Sequence, residues 1–403
     1  MSGAAFDPRL LGGRRAPRRR LRLSWSDPRL RHLVWQVAVL GLVALVVWYL
    51  FHNTSANLAA RHIATGFGFL ERQSPIPIGE SLIPYTPTVS TYLRALEVGV
   101  LNTLKVAVIG VVLATILGTL VGVGRLSGNW LLERLTAVYV EVLRDIPVLL
   151  QLLFWYALIQ GLPPPRQSVR LGHAVFLSNR GIKVPLLDWQ PADSWALAAL
   201  LLGVIGSLLW ARHAQRRQDV TGVRPPVWPV ALALIVGLPL LVWAALGAPF
   251  ALDVPALKGF NFQGGGTITP EYGALLIGLV IYTSAYIAEI VRSGILAVAH
   301  GQTEAALALG LHRGKVLRLI VLPQALRVII PPLTSEYLNL TKNSSLAVAI
   351  GYQDIVSVAN TALNQTGQAI EGITIIMVVY LTISLSISLF MNWYNARIAL
   401  RER

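Results

Sequence analysis

The chain has 403 residues, 54% of them hydrophobic and only 13% charged. A soluble domain of this length carries about a quarter charged residues, so composition excludes a soluble fold and predicts a polytopic membrane protein. The formal charge of +15 sits between apolar runs, as orientation in a bilayer requires, and argues against nucleic-acid binding. The absence of cysteine excludes disulfides and thiol chemistry, and the seven histidines lack the spacing of a metal site.

Residues 1–32 are rich in Arg (Arg14, Arg15, Arg18, Arg19, Arg20, Arg22, Arg29, Arg31) and read as a basic cytoplasmic tail. The first span is expected over 33–51. A basic flank before an apolar run also describes a signal peptide, with Ser55-Ala56-Asn57 as a weak cleavage site, but the run is longer than a signal core and predicts a retained anchor. Residues 52–92 are polar and contain Pro75, Pro77, Pro84 and Pro87, which places them outside. A second span follows over 97–123, with Lys105 near enough to its outer end to snorkel. Residues 131–145 form an amphipathic segment with Arg134, Glu141, Arg144 and Asp145, and Pro147 opens a third span over 146–160. Glu141 and Arg144 stand at i,i+3 and can pair on one helix face.

Residues 161–192 read as an outside loop. Spans over 195–210 and 227–246, joined by the basic link Arg212, Arg216, Arg217 and Arg224, carry almost no intramembrane charge and read as lipid-facing. Gly264-Gly265-Gly266 is a flexible turn, because no strand or Gly-Lys-Ser follows to make a phosphate loop. Thr269-Pro270-Glu271 combines a cap, a Pro at the first helical position and an acid, and opens a sixth span over 272–298.

Residues 301–323 then stand out. Thr303 can cap a short helix of about six residues, with Glu304 in its first turn, where the macrodipole favours a carboxylate. Ala305 and Ala306 keep it thin, and Gly310 is placed to end it in a left-handed turn. Such a helix does not persist alone in water and must pack against something. With Arg313, Lys315 and Arg318 behind it, the segment looks like a plug for a groove on another protein; the plain alternative is a surface turn between two membrane helices. Further spans over 324–345 and 370–394 complete a count of about eight, with N- and C-termini cytoplasmic. Pro331 and Pro332 are expected to break the seventh.

The spacing of Glu304-Ala305-Ala306, Gly310, Ile320, Leu322 and Pro323 resembles the cytoplasmic coupling loop of ABC importer permeases. The flanks, residues 285–292 and 322–327, resemble the amino-acid-uptake branch in particular, the histidine/glutamine type. The likeness covers about 90–160 and 260–400. It implies an all-α, type I permease core in two parts, 93–162 and 259–403, with the N-terminal segment (1–92) and the central insertion (163–258) as additions. It assigns ATPase coupling to Thr303, Glu304, Ala305, Ala306, Gly310 and His312, the last as a solvated or docking residue. The run around Glu141, Arg144, Pro147 and Gln151 resembles the family's entry to its helix, where a gating role and simple helix-end pairing both remain open.

Charges at membrane depth are the other conspicuous feature, since each costs roughly 2.5–3.5 kcal/mol at the bilayer centre unless it faces protein or water. Tyr282, Tyr286, Glu289 and Ser293 fall on one stripe of the sixth span, and Glu336, Asn339 and Asn343 on one stripe of the seventh. These stripes are candidate walls of a path for a zwitterionic solute, with Glu289 or Glu336 meeting an amino group and Lys342 or Arg327 a carboxylate. Locking of helices across a subunit interface is the alternative. No Walker-type glycine loop occurs, so no cofactor is expected on this chain. The resemblance implies ATP and Mg on a partner ATPase dimer, a second permease chain forming a heterodimer, a periplasmic amino-acid-binding protein, an L-amino-acid substrate and a bacterial inner-membrane location. A stand-alone carrier or channel driven by an ion gradient is the competing reading; it usually shows repeat symmetry, and no repeat is visible.

Overall fold

A computed structural model describes residues 28–60, 65–247 and 251–398. Most of the basic tail, with Arg401 and Arg403, lies outside them. Helix α1 (Pro28–Ala60) belongs to a unit of its own, residues 1–65. It continues beyond the expected 33–51 because Ser55 and Asn57 bond back one turn, to Phe51 O at 2.8 Å and Asn53 Oδ1 at 3.4 Å. The Ser55-Ala56-Asn57 stretch is therefore helical.

The second unit begins at Gly66. Residues 66–91 form a packed strap: Phe69 and Ile76 are buried with Tyr92, Leu96, Ile355 and Val358, and the Tyr85 hydroxyl donates to Ile76 O at 2.8 Å. Thr91 caps α2 (Tyr92–Gly124), and Asn129 caps α3 (Trp130–Asp145). Helix α4 (Val148–Gln160) follows after a 104° bend at the Ile146-Pro147 step. At 13 residues α4 is about 20 Å long, short of the ~30 Å hydrocarbon core, so the third crossing is a bent pair and not one straight span.

The 163–258 stretch departs most from expectation. Eight short strands occur around it: β1 (Val169–Leu171), β2 (Val175–Ser178), β3 (Gly181–Val184), β4 (Leu186–Leu187), β5 (Leu252–Asp253), β6 (Ala256–Lys258), β7 (Asn261–Gln263) and β8 (Gly266–Ile268). Antiparallel pairing gives a four-stranded sheet in the order β1-β2-β3-β8 and the two-stranded pairs β4-β5 and β6-β7. The glycine run is the turn from β7 into β8, with positive φ at Gly264 and Gly265 and Asp253 accepting from Gly265 N at 2.7 Å. Between β4 and β5 stands a helical hairpin of α5 (Pro191–Thr221), α6 (Trp228–Leu232) and α7 (Leu238–Ala245), with a π turn between the last two. Gly203 lets the Leu234 carbonyl approach α5, and Trp243 Nε1 donates to Asp193 at 3.0 Å.

Helix α8 (Pro270–Leu296) is the axis of the unit. Its start follows the predicted signals, with Thr269 Oγ1 accepting from Tyr272 N at 3.2 Å. Gly118 and Gly122 of α2 lie against Ile287, Ser284 and Ala288 of α8, where an added Cβ would come within 2.6 Å of neighbouring atoms. This small-x-x-x-small approach lets backbones touch where lipid supplies no hydrophobic drive. The chain continues through α9 (His300–Ala308), α10 (Arg313–Val316), a π turn at Leu317–Val321, and α11 (Leu322–Asn343). Contrary to expectation, α11 runs through Pro331 and Pro332 without a break. A 3-10 turn leads to α12 (Ile355–Thr366), unforeseen in the sequence, and α13 (Ala369–Ile398) ends the described chain. Seven helices among the described residues are long and apolar enough to cross a membrane, or eight with the bent pair.

Candidate coupling loop and translocation path

Helix α9 starts a turn earlier than Thr303 suggested. The chain leaves Ala299 in an extended conformation and His300 is the first helical residue. Thr303 is therefore inside the helix and caps nothing, and Glu304 lies in the second turn, where its carboxylate meets His300 Nδ1 at 3.0 Å. The helix has nine residues instead of six. Its far end follows the glycine signal: Gly310 has φ 78°, Gly310 N donates to Leu307 O at 2.9 Å and Leu311 N to Ala306 O at 3.2 Å. These two bonds make a Schellman end, and Leu311 packs on the cluster that holds Ala306.

Ala306 is buried with Val316 and Val321 against Ile295, Val298 and Ile320, which fixes the loop to the ends of α8 and α11. The opposite side is open. Glu304, Ala305 and His312 are exposed, and Leu309 is 82% exposed. The exposed side of the helix therefore combines a carboxylate with a bare apolar side chain. Leu309 escaped the sequence reading because a single Leu in an Ala-Leu run carries no distinguishing pattern.

At membrane depth, four side chains from three helices come together. Tyr282 donates to the Tyr286 hydroxyl at 3.2 Å, and the rings lie 5.0 Å apart. The Arg144 guanidinium of α3 sits 5.0 Å from the Tyr286 ring centroid, and Glu336 of α11 is within electrostatic reach of Arg144 and Tyr282. Arg144 thus meets a ring on a neighbouring helix and makes no ion pair with Glu141, which points outward. The α3–α4 bend that aims Arg144 is held by Gln151, whose Nε2 donates to Leu143 O at 2.9 Å and Ile146 O at 3.1 Å across Pro147. Tyr139 ties α3 to α8 through Ser284 Oγ at 2.7 Å.

The rest of the predicted stripe behaves differently. Glu289 is engaged by Arg125, the residue that ends α2, and by Arg292 at 2.6 Å, so it serves as a clasp between the end of α2 and α8. Ser293 returns to Ile290 O at 3.1 Å and faces outward. Asn339 and Asn343 make no side-chain hydrogen bond among the described residues, and Lys342 is exposed. Arg327 keeps two buried guanidinium nitrogens without an acceptor. Proline lacks the N–H that would reach the carbonyls of Arg327 and Val328, four residues before Pro331 and Pro332.

Lys105 does not snorkel. Its Nζ lies 2.7 Å from Glu80 Oε2 and 3.9 Å from the Tyr272 ring centroid, and Glu80 also accepts from Thr269 N at 2.8 Å. The strap is thereby latched to the start of α8. Pairings such as Arg125–Glu289 and Lys105–Glu80 join residues far apart in sequence, and periodicity within one helix carries no signal for them.

Residues 225–401 match the family described as "Binding-protein-dependent transport system inner membrane component", a range that holds α8 to α13. The chain is 51% identical to the general L-amino acid transport system permease protein AapQ of Rhizobium johnstonii, over 95% of this chain and 96% of that one. It is 50% identical to the putative amino-acid ABC transporter permease protein YhdX of Escherichia coli, over 94% and 97%. The glutamate/glutamine/aspartate/asparagine transport system permease protein BztB of Rhodobacter capsulatus is 41% identical over 95% and 97%. These likenesses run through the strap, the inserted sheet and the helical hairpin as well as the core. The chain is a multi-pass protein of the inner membrane and belongs to the family of amino-acid ABC transporter permeases.

Proposed function

We propose that this chain is the membrane subunit of an ATP-driven importer that moves L-amino acids of broad, polar-leaning specificity into the cytoplasm by alternating access. The observation that carries the reading is α9: a nine-residue helix, closed by Gly310 and rooted on α8 and α11, with Glu304 and Leu309 bare. A groove on each ATP-binding subunit receives it, so closure of an ATPase dimer around ATP and Mg pulls on both membrane helices at once. Because one chain supplies one such loop, a second permease chain completes the core, and a mixed pair is the arrangement we favour. A periplasmic amino-acid-binding protein delivers the substrate, and both termini lie in the cytoplasm. Arg144, Tyr282, Tyr286 and Glu336 offer a cation, hydroxyls and a carboxylate to the two ends of a zwitterion. The breadth of specificity follows the names of the relatives, one a general L-amino acid system and one a system for four acidic and amide amino acids.

Uptake of labelled amino acids by the reconstituted complex, with and without ATP and binding protein, is the test. Glu304→Lys or Gly310→Leu is expected to reduce both transport and stimulated ATP hydrolysis at least tenfold while the protein still inserts. Normal coupling in both variants would remove α9 from this role. Uptake by the chain alone on a proton or sodium gradient would replace the reading with that of a secondary carrier.

A further inference from the structure

The four-stranded sheet has two unlike faces. By register, Arg170, Phe176, Lys183 and Thr267 stand opposite one another on one face, while Val169, Leu177, Ile182 and Ile268 occupy the other. At its β8 edge the apolar face meets the bundle, where Ile268 packs on the core beside Ile159 and Gly273. Burial does not divide the faces cleanly: Val169 on the apolar face is 45% exposed, and Phe176 on the other face lies 4.6 Å from the ring of Phe262, which is buried. Arg170 and Lys183 stand on the other face, and the inserted segment as a whole is basic. Residues 163–187 and 251–268 carry Arg166, Arg170, Arg180, Lys183 and Lys258 against a single carboxylate, Asp253. That carboxylate is occupied by the glycine turn, and none of the five cations is in an ion pair among the described residues. Phe260 is 74% exposed, with the Arg166 guanidinium 3.7 Å from its ring centroid. Aromatic residues and arginine are both enriched in protein interfaces relative to the rest of the surface.

The placement of this patch matters as much as its charge. Strand β8 leads through Thr269 directly into α8, which extends about 40 Å before the chain turns into α9. The sheet and the coupling helix therefore sit at opposite ends of one rod. If α9 faces the cytoplasm, the sheet faces the compartment from which substrate arrives.

We propose that this basic sheet is the docking surface for the solute receptor, through an acidic face on that receptor. The inference rests on the importer reading above and adds to it which surface of this chain is bound and by what chemistry. Docking there presses on the end of α8 whose other end carries α9, so receptor binding and ATPase closure act on the same helix. Opposite charges steer the encounter and weaken as salt rises.

The experiment uses the assembled transporter in lipid nanodiscs and measures ATP hydrolysis against the concentration of a purified secreted amino-acid-binding protein. Combined Arg170→Glu, Lys183→Glu and Lys258→Glu is expected to raise the half-maximal receptor concentration at least tenfold, with Lys258→Arg close to wild type. High salt should raise the half-maximal concentration for wild type and much less for the triple variant. Unchanged half-maximal concentration in the triple variant, with wild type responding normally, would overturn the docking assignment. A wild-type complex that ignores the receptor would instead overturn the importer reading beneath it. A shift present in discs of anionic lipid and absent in neutral ones would assign the patch to lipid headgroups and also overturn the proposal.

Discussion

Asp354 shows how burial governs a single side chain. It caps α12, accepting from Ser357 N at 2.9 Å, and the Tyr380 hydroxyl lies 3.4 Å from its other oxygen. It sits between the spanning segments, and burial pushes its carboxyl from the ordinary 3.8 up to about 7. Between those values the folded protein holds a proton that the unfolded chain has lost. Its contribution to stability is therefore complete below about pH 4 and lost as pH rises through about 7, with a slope of up to about 1.4 kcal/mol per unit. Thermal unfolding in detergent should show the midpoint falling from pH 5.5 to pH 8, and Asp354→Asn, which keeps the cap, should flatten the profile. An unchanged slope in the variant would place the proton elsewhere. At this scale Gly310 was legible because only a residue without Cβ ends a helix cheaply at positive φ. Thr303 was misread because a good capping side chain shows that a helix can begin there, while its start was set by the backbone at Ala299.

Among elements, α2 and α8 meet with their backbones in close approach. Gly122 faces the Ala288 carbonyl, where a Cβ would stand 2.6 Å away, and the neighbour is backbone that cannot swing aside. Gly122→Leu should force the helices apart and cost about 1–3 kcal/mol or more, seen as a lower melting point and reduced yield of assembled complex. The same change at Gly41 of α1, which has nothing within 4 Å, should leave both unaltered. Long helices were legible because an apolar run of membrane length has few other readings. The strands were not, since two to four residues hold at most one or two alternations. The bend between α3 and α4 was half legible: Pro147 marked the step, but its 104° angle depends on Gln151 and Tyr139 reaching other backbones and helices.

For the molecule as a whole, the inserted sheet and α9 stand at the two ends of α8, while the α5–α7 hairpin contributes to neither. Hairpin packing is internal: Trp243 meets Asp193, and Trp210 Nε1 reaches Pro226 O at 3.1 Å. Its entry and exit are joined by β4 and β5, which pair Leu187 with Leu252, and by Asp188 N donating to Ala251 O at 2.9 Å. Chain order concealed this, since about sixty residues separate two positions that sit on neighbouring strands. Replacing residues 188–251 by Asn-Gly, a pair suited to a two-residue hairpin turn, should therefore give a protein that inserts and retains ATP-coupled uptake. Loss of assembly in that shortened chain would show that the hairpin holds another subunit. The β4–β5 clasp has a wider consequence. A segment whose two ends meet can be gained or removed without re-threading anything around it, so the remainder reads as one uninterrupted machine with a detachable accessory clipped to its rim.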